Sequence, residues 1–137
     1  MKTLHRSLFS ALVATALAFI GSAGFSFAAD LSAGDKLFLA GYEKVRTALV
    51  ADDLASAKKA ASELGNPGTA LAASPSLKEA RTAFAKLSDD AKKLAAGQPG
   101  FYTVHCSMLK QDWVQTSTDI GNPYAGKEMA ECGEIVK

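Results

Sequence analysis

The apolar residues of the first two-thirds of the chain fall into three stripes at helical spacing. Phe38, Tyr42, Val45 and Leu49 step by four, three and four. Leu54, Ala57, Ala61 and Leu64 step by three, four and three, and Leu77, Ala80, Phe84, Leu87, Ala91 and Leu94 alternate threes with fours. Each set lies along one side of a helix, with Lys, Asp and Glu opposite as solvated surface. The breaks between stripes are equally legible. Asp52 and Asp53 suit the cap of the second helix, and Gly65-Asn66-Pro67-Gly68 stops it. Ser76 with Glu79 three residues on makes a capping-box pattern for the third helix, which Gly97, Pro99 and Gly100 end.

After Gly100 the pattern changes. Phe101-Tyr102-Thr103-Val104 and Trp113-Val114-Gln115-Thr116 are aromatic and β-branched, which favours short extended stretches. Asn122 as N-cap, Pro123 at the first helical position and Gly133 as the stop outline a last short helix. The expected fold is all-α: a small up-and-down bundle of three main helices plus a short C-terminal helix, with an irregular segment carrying Cys and Met. Alanines on the stripes make its core thin, so Phe38, Tyr42, Phe84 and Trp113 should dominate it.

The N-terminus alters which residues belong to that fold. Lys2 and Arg6 precede an apolar run from Ser7 to Gly21, and Ser26-Phe27-Ala28 puts small side chains where a signal peptidase needs them. Residues 1–28 therefore read as a signal peptide and 29–137 as a single helical-bundle domain, periplasmic or secreted, with no stable membrane anchor after cleavage. The whole chain has 15 basic and 14 acidic residues; losing Lys2 and Arg6 leaves 13 against 14, a net charge of −1. Nothing in that balance attracts nucleic acid.

Cleavage also concentrates the chemistry. The remaining soft donors are His105, Cys106 and Met108 in one short run and Met129 and Cys132 in another. Thiolate, thioether and imidazole suit monovalent copper or silver. In extended chain Cys106 and Met108 share a face with His105 opposite, and on a helix Met129 and Cys132 share a face. Cys106, Cys132, Met108, Met129 and His105 are thus candidate ligands of Cu(I) or Ag(I). The alternative is a Cys106–Cys132 disulfide, worth about 3 kcal/mol in the chain-entropy model, stapling a structural or interaction module without metal. No glycine-rich phosphate loop, zinc-hydrolase motif or serine elbow is present, and adjacent His105 and Cys106 point apart, so no enzyme is expected.

The run Cys106-Ser107-Met108, Trp113, Asn122-Pro123-Tyr124 with Gly126, and Met129 with Cys132-Gly133 resembles the C-terminal signature of a bacterial family. Its members are small exported helical domains of unknown function with Cys-Pro-Met, Asn-Pro-Tyr-Phe-Gly and Met-x-x-Cys-Gly elements. They also occur fused to periplasmic adaptor subunits of copper and silver efflux pumps. Ser107 replaces the proline and Ala125 the phenylalanine. The resemblance implies metal homeostasis in the envelope, as buffer, chaperone or sensor, with an efflux adaptor as a possible partner class.

Overall fold

A computed structural model describes residues 30–136; the expected signal peptide lies outside the described residues. The helices begin where local chemistry satisfies their free N–H groups. Ser32 opens α1 (Ala33–Val50) with a reciprocal capping box to Asp35. Asp53 opens α2 (Leu54–Glu63) by accepting from the Ser56 N–H at 2.9 Å. A short α3 (Thr69–Ala72) follows the Gly65–Gly68 break, where no helix was expected. Ser76 accepts from the Glu79 N–H to open α4 (Leu77–Ala95). Tyr42, Val45 and Leu49 of α1, Ala57 and Ala61 of α2, Leu71 of α3 and Ala80, Phe84 and Leu87 of α4 form the main core. Phe38 only packs against it in part. Among the described residues no helix is long and apolar enough to cross a membrane.

The all-α expectation is overturned by the C-terminal third. β1 (Tyr102–Cys106) and β2 (Gln111–Gln115) form an antiparallel hairpin in which Val104 faces Trp113 and His105 faces Asp112. β3 (Glu134–Ile135) pairs antiparallel with Val104 and His105, giving the order β2-β1-β3. The extended stretches foreseen around 101–104 and 113–116 are two of these strands; the unforeseen step is their pairing.

Alternation then gives the sheet two different faces. Val114 joins the helical core, and Tyr42 accepts the Val114 N–H at 3.1 Å, so one face rests on the helices. Burial pushes the Tyr42 phenol well above its usual range, which keeps it neutral beneath the sheet. The other face carries Val104, Cys106 and Trp113, which form a second, smaller core with Leu109, Ile120, Tyr124 and Cys132. The segment from 116 to 133 covers that face. Tyr124 joins the two cores: its ring lies 5.6 Å from Phe84 and 6.3 Å from Trp113, and Phe84 stacks on Tyr42 at 5.1 Å.

The expected helix from Pro123 is not formed. Asn122 does cap the turn, its Oδ1 accepting from the Tyr124 and Ala125 N–H groups at 2.9 and 3.2 Å. The chain then makes only a 3₁₀ turn over Gly126–Met129. Gly126 has φ +62°, and a Cβ there would collide with the Asp52–Arg81 ion pair. A left-handed residue of this kind interrupts the α-helical ladder.

Candidate functional site

Two arginines on the helices, neither singled out by the sequence pattern, fix the covering segment. Arg46 on α1 is buried; it forks onto Glu43 at 2.6 and 2.8 Å and donates to the Gly121 carbonyl at 2.9 Å. Arg81 on α4 donates to the Pro123 carbonyl at 3.0 Å and pairs with Asp52. Asp52 also accepts the Lys127 N–H at 3.1 Å. That N–H first, and then Arg81, hold the Asp52 carboxyl below the usual carboxylate range. Gln115 supports the same segment from below. Its buried amide accepts from Trp113 Nε1 and the Gly121 N–H and donates to the Ser117 and Asp119 carbonyls, so each polar atom is satisfied.

This framework brings Cys132 against Cys106. The two sulfurs lie 2.8 Å apart, and both are free thiols. Cys106 is fully buried at the end of β1, whereas Cys132 is part-exposed at the rim. Burial opposes ionisation of Cys106, but hydrogen bonds from Cys132, the Leu109 and Met108 N–H groups and the Asn122 amide outweigh it and lower its pKa. The Cys132 thiol is raised by its bond to Cys106 and by burial. The turn 107–110 thus presents backbone donors to one sulfur, an arrangement that favours a thiolate there.

The other sequence-derived candidates are placed differently. His105 lies on the opposite face from Cys106, its Nδ1 2.6 Å from Asp112 Oδ1. Asp112 is in turn 3.7 Å from Lys92 Nζ. Met108 sits in the hairpin turn and is 71% exposed, outside both cores. Met129 is part-buried at the end of the 3₁₀ turn, and its carbonyl accepts the Cys132 N–H at 3.0 Å. Among the described residues no three His, Cys, Asp or Glu side chains gather around one point.

Asn122 has a larger part than the cap it was read as. Its Nδ2 donates to the Cys132 carbonyl at 2.8 Å, and its N–H donates to the Ala130 carbonyl at 2.7 Å. An Asn-Pro pair signals a turn in sequence; contact with a cysteine ten residues later carries no local signal. No family model, curated protein or solved structure matches the chain.

Proposed function

We propose that this is an exported, non-enzymatic protein that binds a soft monovalent metal ion, Cu(I) or Ag(I), through the thiolates of Cys106 and Cys132. It would act as a buffer, chaperone or sensor in metal homeostasis. The observation that carries this reading is the contact of two free thiols from distant parts of the chain, one of them facing backbone N–H donors. Donors to a ligating sulfur are the outer-shell partners that orient and stabilise a metal thiolate. The donor chemistry fits: two thiols with thioethers two residues after Cys106 and three before Cys132 form a soft set. His105, tied to Asp112 on the other face, is left out of the primary donors. The resemblance to domains fused to efflux adaptors supports an envelope partner of that kind.

A competition titration against a Cu(I) chelator under reducing conditions tests the reading. Wild type should bind at least tenfold more tightly than Cys106→Ser, while Met108→Leu should lose less. Wild-type affinity equal to that of a Cys106→Ser, Cys132→Ser double variant would remove the metal function.

A second reading has its own support. At 2.8 Å the sulfurs need to approach by only about 0.8 Å to reach the about 2.04 Å of a disulfide. Oxidised, the pair would staple the covering segment to β1 and leave a structural or interaction module. A free-thiol count on protein taken directly from the envelope separates the two: two free thiols per chain exclude the staple, and none excludes a resident thiolate site.

A further inference from the structure

Asn122 is fully buried and spends its side chain on both halves of the covering segment. Its Oδ1 holds the Tyr124 and Ala125 N–H groups, and its Nδ2 holds the Cys132 carbonyl at 2.8 Å. Its backbone adds two more ties, from its own N–H to the Ala130 carbonyl and from the Gly126 N–H to its carbonyl. Five hydrogen bonds from one residue therefore fix segment 130–132 against segment 122–126. The latter is anchored to α1 and α4 by Arg46 and Arg81. Of these ties, only Nδ2 reaches the residue that bears a sulfur.

We infer that Asn122 is the positioning residue of the thiol pair: by holding the Cys132 carbonyl it keeps Cys132 Sγ facing Cys106 Sγ, and so sets how readily the pair closes to a disulfide. The inference rests on the reading that the two thiols act together. Closure by oxidised glutathione is a two-step exchange. Cys132, the more accessible sulfur, gives up its proton, bonds to one glutathione sulfur and expels the other glutathione, which takes up a proton. Cys106 Sγ then bonds to Cys132 Sγ and expels the second. Two electrons pass from the protein thiols to glutathione disulfide, and the two thiol protons end on two reduced glutathiones. The equilibrium constant of this exchange measures how well the folded chain presents one sulfur to the other.

Asn122→Asp removes the amide donor, from the Cys106 sulfur as well as from the Cys132 carbonyl, and spares the acceptor. A carboxylate keeps the acceptor for the Tyr124 and Ala125 N–H groups, and it replaces the Nδ2 donor by an oxygen that repels the Cys132 carbonyl. Full-length variants are equilibrated in glutathione buffers, and the disulfide fraction is read by alkylation and mass spectrometry. The constant should fall at least tenfold in Asn122→Asp. It should stay within twofold of wild type in Phe84→Leu, which loosens the core without touching the pair. A folded Asn122→Asp with a wild-type constant overturns the inference. If that variant does not fold, Asn122→Ser, which is too short to reach Cys132, is judged by the same threshold. Wild type that forms no disulfide in any buffer removes the paired-thiol reading itself, an outcome distinct from an unchanged variant.

Discussion

Phe84→Ala tests whether the helical core and the sheet form one cooperative unit. The Phe84 ring is fully buried on α4, stacked on Tyr42 at 5.1 Å and edge-on to Tyr124 at 5.6 Å. Truncating a buried phenylalanine costs about 3–5 kcal/mol through lost transfer energy and a residual cavity. Each aromatic pair adds about 0.5–1.5 kcal/mol, which places this site toward the upper end. The surrounding helices are rich in alanine, and small side chains cannot swing in to fill the gap. With a urea slope of about 1.5 kcal/mol/M, the midpoint should fall by about 2–3 M. A loss of that size is a large share of the stability of an ordinary domain, so Phe84→Leu, at about 1–1.5 kcal/mol, is the milder companion. Two probes follow the transition: far-UV circular dichroism for the helices and fluorescence of Trp113, the single tryptophan, for the sheet. Tyr124 touches both Phe84 and Trp113, so the two midpoints should shift together. A cost below about 1.5 kcal/mol for Phe84→Ala would refute the packing argument. Separated midpoints would refute the coupling.

Other outcomes follow from the covering segment. Asp52 has a lowered pKa in the folded chain, so its stabilisation is complete above the unfolded carboxylate value and is lost as pH falls through the folded one. Asp52→Asn should cost about 1 kcal/mol at pH 7 after discounting for solvent, and it should flatten the loss of stability below about pH 4 in acid titrations of the urea midpoint. Gly133→Ala places a Cβ 2.8 Å from Trp113 Cη2 and 2.9 Å from Val104 Cγ1 at φ +156°. Overpacking and backbone strain there should cost about 2–4 kcal/mol and shift the Trp113 emission; a neutral variant would mean that the segment does not rest on the indole. Gln115→Leu leaves the Trp113 Nε1–H and the Gly121 N–H without their acceptor, and should cost about 2–4 kcal/mol in the same urea assay.

What the sequence determined by itself is the helical part. The stripes at three/four spacing appear as α1, α2 and α4, with Asp53 and Ser76 capping as their side chains suggest. Those signals are local: a helix satisfies its own backbone and shows its core through its period. The donor atoms were legible too, because cysteine and methionine are rare in this chain. Their arrangement was decided only by the tertiary structure. β1 and β2 were legible as extended stretches but their pairing was not, and β3 is only two residues long and pairs across about 30 residues of sequence with β1. Gly126 takes a left-handed conformation, and Asp52 and Arg81 occupy the space where a side chain would stand, so glycine is required there by two separate demands. Arg46 and Arg81 are charged residues on amphipathic helices, yet they turn inward because the carbonyls of Gly121 and Pro123 meet them there. His105 on the face opposite Cys106 was already legible from strand alternation, but the meeting of Cys106 with Cys132 follows from strand register and from the hydrogen bonds of Asn122. Each of these is a contact between distant residues, so no local pattern could encode it.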